Sequence, residues 1–169
     1  MDNWIFICES SPGPWRHRWY RALVRIVFDA ACLVTAVRSS DGAAGEVLRK
    51  VFRKELVLLM DLKLGLEYRD VALRPEHLMA SPLSEREVLE LIEALEAFAE
   101  PVEVILKRRP QSSDPNDDMV LDLAINGRAE ALVTYNTKHF LKTGKRYEIP
   151  ILTPALLLQE ILKENHNGD

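Results

Sequence analysis

The sequence has little that would mark a disulfide-linked, zinc-binding or membrane protein. It contains only two cysteines, Cys8 and Cys32, in 169 residues, and they form no disulfide framework and lack the spacing of zinc ligands. No apolar run approaches the roughly 20 residues that a membrane helix needs, and the apolar stretch at residues 4–8 is too short for a signal peptide. We therefore expect a soluble, cytoplasmic protein with no membrane partner.

Basic charge and phosphate-binding motifs are also scarce. The 22 Lys and Arg residues are outnumbered by 26 Asp and Glu, which gives a net charge of −4, so no overall field attracts nucleic acid. There is no glycine-rich phosphate loop, no His and Cys set for zinc, and no nucleophile-elbow serine. The acidity is only a weak argument against a nuclease, because a bound divalent cation would reverse the field of clustered acids.

Apolar runs and helical patterns alternate from residue 25 onward. Short continuous apolar runs predict strands at residues 25–29, 56–60, 102–106, 131–134 and 149–152. Helical spacing predicts helices at residues 43–54, 61–73, 84–100 and 117–126, and a last one that begins at Thr153-Pro154. Ser84 and Glu87 predict a capping box, and Gly127 a helix-ending cap. The alternation predicts an α/β fold, a three-layer α/β/α sandwich with a central, mostly parallel sheet.

The two ends of the chain have a different composition. Residues 1–24 mix Ser, Pro and Gly with Trp and Arg and show no periodicity. We expect them to form a flexible N-terminal extension, with a basic, aromatic arm that binds nucleic acid as the alternative. Residues 25–165 are expected to form one domain, and residues 166–169 a disordered tail.

Acidic and amide side chains follow several of the predicted strands. The positions are Asp29, Glu67, the cluster of Asp114, Asp117 and Asp118, and Asn136. Since ligands collect beyond the carboxyl ends of parallel strands, all except Glu67 are expected at one edge of the sheet. Glu67 lies inside a predicted helix, near the apolar face that Leu64 and Val71 define. An oxygen-rich cluster of this kind suits Mg²⁺ and predicts metal-assisted phosphodiester hydrolysis.

Each position also has a purely structural interpretation. Asp29 could be a turn former, the acidic cluster a helix start, and Glu67 a solvated helix residue. Asn136 could cap a short helix after residue 136, and His139 is expected at the surface. The functional interpretation rests on the convergence of these positions in one fold.

Residues 25–162 resemble the PIN-domain family, in particular bacterial and archaeal proteins described as toxins of toxin–antitoxin pairs. The matching stretches are Ile-Val-Phe-Asp at 26–29, Leu-Glu-Tyr-Arg-Asp-Val at 66–71 followed by Arg74-Pro75, Asp-Pro-Asn-Asp-Asp at 114–118, and Ala-Leu-Val-Thr-Tyr-Asn-Thr at 131–137. The resemblance implies an α/β/α sandwich and a Mg²⁺- or Mn²⁺-dependent ribonuclease that acts on single-stranded RNA. It also implies a cognate antitoxin protein as partner and a homodimer.

The resemblance assigns roles to particular residues. Asp29 would be the first metal ligand and Glu67 the second. The third acid is Asp117 or Asp118, since the spacing to the fourth strand favours Asp118 and the Asp-Pro-x-Asp pattern favours Asp117. Asn136 would hold a water on the metal.

The sequence departs from the family pattern directly after the first acid. Ala30 and Ala31 stand where the family usually has a hydroxyl and an amide residue, which removes hydrogen bonds that orient metal ligands. The alternative function is therefore a catalytically weakened PIN-like domain that binds RNA or protein, and a weaker one is a receiver-like α/β domain that uses its acids for Mg²⁺ alone. Local basic residues are the candidates for binding the RNA backbone: Lys107, Arg108, Arg109 and Lys138.

Overall fold

The computed structural model describes the backbone of residues 24–106 and 115–166, and the side chains of the same residues except 115–116, 141–143 and 164–166. Its centre is a five-stranded sheet in the order β3-β2-β1-β4-β5, in which every strand pair is parallel. The strands are β1 (Val24–Phe28), β2 (Leu56–Met60), β3 (Glu100–Pro101), β4 (Ala131–Val133) and β5 (Ile151–Leu152).

Helices flank this sheet and complete the predicted three-layer α/β/α sandwich. They are α1 (Ala30–Arg38), α2 (Ala43–Phe52), α3 (Leu62–Ala72), α4 (Pro75–Met79), α5 (Glu85–Phe98), α6 (Pro115–Asn126), α7 (Thr137–Tyr147) and α8 (Pro154–His166). Strands β1, β2 and β4 are mostly apolar because helices cover both faces of the sheet, whereas the edge strand β3 is exposed. Ile26, Val27 and Phe28 of β1 are all fully buried, for example.

Several predicted helix ends are confirmed by hydrogen bonds. Ser84 and Glu87 form the predicted capping box at the start of α5. Thr153 Oγ1 accepts a hydrogen bond from the backbone N–H of Leu156 at 3.3 Å, at the start of α8. Asp61 likewise accepts from the N–H of Leu64 at 2.9 Å and begins α3. These short-range signals could be predicted because each depends on residues three apart in the chain.

The predicted strand at residues 102–106 is wrong. Pairing with β2 is confined to Glu100 and Pro101, and ends with the hydrogen bond from Val102 N–H to the carbonyl of Met60. Beyond it the backbone is held by the Asn126 side chain, which accepts from the N–H groups of residues 105 and 106 and donates to the carbonyl of residue 106. The apolar run therefore lies along the end of α6 instead of extending the sheet.

The residue that ends α6 is also different from the prediction. Arg128 adopts the left-handed conformation, with φ of 51°, whereas no described glycine has a positive φ. Gly127 is needed for a different reason, because a Cβ there would lie 2.8 Å from Leu59 Cδ1 and 3.0 Å from the carbonyl oxygen of Leu123. Its role is the close packing of α6 against β2.

The strand order determines where a ligand can bind. From the central strand β1, the chain first passes to β2 on one side and later returns to β4 on the other. Strand order therefore reverses between β1 and β4, and ligands of open α/β sheets bind beyond the carboxyl ends of the strands at such a point. In the described part of the chain, no helix is long and apolar enough to cross a membrane.

Candidate functional site: an acidic cleft at the ends of β1 and β4

A cleft of about 300 Å³ opens beyond the carboxyl ends of β1 and β4. The described residues that line it are Asp29, Ala30, Ala31, Val34, Glu67, Val71, His77, Asp117 and Asn136. They come from separate segments of the chain, namely the β1–α1 junction, α3, α4, α6 and the β4–α7 junction. The predicted convergence of Asp29, Glu67, one acid of the 114–118 cluster and Asn136 is thus observed.

Asp29 is fixed at the floor of the cleft by the sheet and by a hydroxyl group. Its backbone N–H donates to the carbonyl of Val133 at 2.9 Å, which ties the end of β1 to the end of β4. Its Oδ2 accepts a hydrogen bond from Thr134 Oγ1 at 2.7 Å. Burial raises the pKa of Asp29 above its usual value, and the negative charge of Asp117 adds to the rise, although Thr134 and the backbone amides of residues 30 and 31 oppose it.

Thr134 joins two of the predicted site residues and was not itself predicted as one. It is fully buried, donates to Asp29, and accepts a hydrogen bond from the backbone N–H of Asn136 at 3.0 Å. It therefore supplies one hydroxyl contact to Asp29, which partly offsets the loss of polar side chains at Ala30 and Ala31. A threonine that ends a buried strand two residues before Asn136 was the available sequence signal.

Asn136 lies at the start of α7, but the structure does not support the helix-cap interpretation of its side chain. The residue occupies the cap position and its side chain makes no capping hydrogen bond. It lines the cleft instead. An amide oxygen can bind a hard cation or accept a hydrogen bond from a water bound to it. The placement is therefore compatible with the role that the family resemblance implied, which is to hold a water on the metal.

Glu67 enters the cleft from α3, and its neighbour Tyr68 anchors that helix. Tyr68 is fully buried and its hydroxyl donates to the carbonyl of Phe28, the last residue of β1. Burial raises the pKa of Tyr68, as do the charges of Asp29 and other nearby acidic groups. This hydrogen bond fixes α3 against the end of β1, so it also sets the position of Glu67 relative to Asp29.

The structure separates the two candidates for the third acid. Asp117 lines the cleft with its side chain 13% exposed, whereas Asp118 is not among the described residues that line it. Asp117 Oδ2 lies 3.2 Å from Nδ1 of His139, which is otherwise exposed on α7. The geometry therefore favours Asp117 over Asp118 as the third acid. Asp114, the remaining member of the predicted cluster, lies outside the described residues.

His77 on α4 is a further cleft residue that the sequence analysis did not identify. It lies in the same wall as Val71 and has one ring nitrogen, Nδ1, buried. No sequence motif marks it, and no helix was predicted between the helices at residues 61–73 and 84–100. Pro75 in fact begins α4, and this short helix brings His77 over the cleft.

The predicted RNA-binding residues are not gathered at the cleft in the described structure. Lys138 is exposed on α7 and does not line the cleft. Lys107, Arg108 and Arg109 lie outside the described residues. Their proposed contact with RNA remains a prediction.

The donor set of the cleft fits a hard divalent cation that keeps several of its waters. All the candidate ligands offer oxygen, which suits Mg²⁺ or Mn²⁺ and not zinc. Among the described residues, no three His, Cys, Asp or Glu side chains lie close enough together to hold a metal by themselves. Mg²⁺ commonly binds through one or two carboxylates, water and substrate phosphate, so the residues present fit such an ion but form no closed cage.

A parallel α/β/α domain with acids at its topological switch point is typical of proteins that bind a ligand at that point. The acids would contact the ligand through a cation or through a few polar groups. The model of the PIN-domain family matches residues 25–138, which is well over half of the chain, and the protein belongs to this family. The PIN domain is generally a nuclease fold. A comparison with curated proteins finds no match.

Proposed function

We propose that the protein is a Mg²⁺- or Mn²⁺-dependent endoribonuclease that hydrolyses phosphodiester bonds of single-stranded RNA. The observation that supports this most strongly is that Asp29, Glu67, Asp117 and Asn136 line one cleft although they come from distant parts of the chain. Burial raises the pKa of Asp29 and the charge of Asp117 adds to the rise, so a bound cation would offset the cost of keeping this carboxylate ionised. We further propose that the enzyme is the toxin of a toxin–antitoxin pair and acts in the cytoplasm.

Each residue of the cleft would have its own role in such a reaction. One or two of the acids Asp29, Glu67 and Asp117 would hold the cation directly and the rest would reach it through bound water. When bound, the cation supplies charge neutralisation and an acidified water. Thr134 keeps the Asp29 carboxylate oriented, and Asn136 presents a neutral amide to water and substrate. Val34 and Val71 form the apolar part of the lining together with Ala30 and Ala31.

A second candidate function is a binding module without efficient catalysis. It is favoured by Ala30 and Ala31, which line the cleft with methyl groups, and by the lack of three convergent ligands among the described side chains. Such a module would bind RNA or protein and would not cleave RNA with any divalent cation. Catalysis is the better supported of the two, because the acids that matter for it are brought together.

The test is cleavage of a mixed-sequence single-stranded RNA with Mg²⁺, with Mn²⁺ and with EDTA. Wild-type protein is compared with Asp29→Ala and with Asp41→Asn, a control that removes an acid beyond the far end of α1. We expect metal-dependent cleavage that Asp29→Ala abolishes and Asp41→Asn leaves unchanged. Well-folded wild-type protein that binds RNA without cleaving it would instead support the binding module.

The biological part of the proposal concerns partners. The antitoxin would cover the acidic cleft and place a basic side chain where the cation binds, and the nuclease would form a homodimer. Expression of the wild-type protein in a host cell should arrest growth, and Asp29→Ala should relieve the arrest. Growth that is unaffected by a soluble, RNA-cleaving wild-type protein would remove the toxin role and leave the nuclease.

A further inference from the structure

His77 is the described cleft residue whose chemistry the proposed reaction does not yet use. It lies on α4 and is half-buried, with its ring against the cleft. Its Nδ1 is buried and has no hydrogen-bond partner among the described residues, whereas Nε2 is not buried in that way. The ring is therefore inserted with Nδ1 towards the protein, which leaves Nε2 as the nitrogen that faces the cleft.

The electrostatics of the cleft give this nitrogen a function. The described lining residues include three carboxylates, on Asp29, Glu67 and Asp117, and no lysine or arginine. An RNA phosphate that enters such a cleft is repelled unless donors reach it. The nitrogen donors that described side chains offer there are the Asn136 amide and the His77 ring, and His77 approaches from the α4 side.

A role for His77 as a metal ligand is less well supported than a role in substrate binding. Among the described residues, no set of three His, Cys, Asp or Glu side chains is arranged to hold a metal, whether or not the set includes His77. Imidazole is also a ligand of softer transition metals, whereas the oxygen donors of this cleft suit Mg²⁺ or Mn²⁺. The ring is better placed to contact the substrate than to bind the metal.

We propose that His77 is a substrate-binding residue whose Nε2 donates a hydrogen bond to a phosphate oxygen of the RNA strand in the cleft. The inference rests on the proposed ribonuclease function and adds a contact to the strand from α4, an element that supplies none of the proposed metal ligands. A hydrogen bond to a charged phosphate oxygen is stronger than one between neutral groups. Its loss should weaken RNA binding about tenfold.

The side chains of Gln and Asn allow a position-specific test. A glutamine amide reaches about as far as Nε2 of histidine, and an asparagine amide only about as far as Nδ1. Binding of a fluorescein-labelled single-stranded RNA is measured by anisotropy in EDTA, where hydrolysis is blocked. The variants are His77→Gln, His77→Asn, His77→Ala and the control Met79→Ala, which trims an exposed residue of the same helix.

We expect His77→Gln to bind RNA within about threefold of wild type, and His77→Asn and His77→Ala to bind about tenfold more weakly. Met79→Ala should match wild type. In Mn²⁺, His77→Ala should raise KM more than it lowers kcat, a division that a general loss of structure would not produce. Circular dichroism and thermal unfolding check that every variant is folded.

The outcomes separate the inference from the function on which it rests. If wild-type protein binds and cleaves RNA but all His77 variants behave like it, the phosphate contact is refuted and the ribonuclease remains. Equal weakening by Gln and Asn, or a loss of Mn²⁺ binding in His77→Ala, would also overturn the contact. If the wild type neither binds nor cleaves single-stranded RNA, both the proposed function and this inference fail.

Discussion

Replacement of Thr134 by valine tests whether one buried hydroxyl organises the acidic cleft. The substitution keeps the shape of the side chain and removes two hydrogen bonds, one to Asp29 Oδ2 at 2.7 Å and one from the backbone N–H of Asn136 at 3.0 Å. The first involves a charged group and is the stronger of the two. Since Thr134 is fully buried, water cannot replace the hydroxyl at its own position.

The expected loss of stability is about 2 kcal/mol, which combines a charged hydrogen bond with a neutral one that solvent partly restores at Asn136. This corresponds to a fall in melting temperature of about 4–8 °C for a chain of this size. The same change should weaken Mn²⁺ binding about tenfold, as is typical when a group that orients a metal ligand is removed.

Thr134→Val should also shift the pH dependence of Mn²⁺ binding in a defined direction. The Thr134 hydrogen bond lowers the pKa of Asp29 against the larger effect of burial, so its removal raises that pKa further. Because the cation binds the ionised carboxylate, Mn²⁺ affinity is lost as pH falls through this pKa. In Thr134→Val the loss should therefore begin at a higher pH than in wild type.

The assay is Mn²⁺ titration followed by electron paramagnetic resonance, together with thermal unfolding. Thr134→Ser keeps the hydroxyl and should retain the wild-type affinity. Thr35→Val is the matched control, because the Thr35 hydroxyl donates only to the carbonyl of Ala31 within α1. If Thr134→Val binds Mn²⁺ as tightly as wild type and melts at the same temperature, the assigned role of Thr134 is refuted.

Three further predictions follow from buried polar groups near the cleft. Asp29→Asn should stabilise the metal-free protein at pH 7, because a carboxylate with a raised pKa costs stability when ionised; the gain is complete above the folded-state pKa and absent below the unfolded one, and urea unfolding at pH 7 and pH 3 measures it. An Asn variant that is less stable at pH 7 would contradict this. Tyr68→Phe should cost about 1–3 kcal/mol, since it leaves the carbonyl of Phe28 without its hydroxyl donor; an unchanged urea midpoint would show that solvent or another donor replaces it. Cys32 is fully buried, and burial raises its pKa, with the charge of Asp29 adding to the effect; in a Cys8→Ala background it should react with a thiol reagent only as fast as the protein unfolds, and rapid labelling of the folded protein would disprove its burial.

Much of the fold could be predicted because its signals are local. Strands β1, β2 and β4 are short, mostly apolar runs, and α5 carries its capping box in four consecutive residues. Helix α1 was missed because its sequence is a nearly continuous apolar run, which does not distinguish a buried helix from a strand. The false strand at 102–106 was an apolar run with the composition of a strand, and only the tertiary contact with Asn126 determines its path.

The site could be predicted in part for a similar reason. Asp29 and Asn136 follow strands, and strand ends meet at one edge of a parallel sheet whatever the sequence between them. The distinction between Asp117 and Asp118 depends on the rotation of α6 about its axis, which the sequence pattern did not determine. His77 could not be predicted because its placement depends on how α4 turns back over the cleft after Pro75.

The central claim is that the acidic cleft binds the divalent cation on which RNA cleavage depends. The most direct measurement adds Mn²⁺ stepwise to metal-free wild-type protein and to Asp29→Asn, and follows Mn²⁺ occupancy and single-stranded RNA cleavage in the same samples. We predict that cleavage rises in proportion to the occupancy of a site that Asp29→Asn removes while the variant stays folded. Cleavage without Mn²⁺ occupancy, or saturable Mn²⁺ binding that Asp29→Asn leaves intact, would contradict the claim.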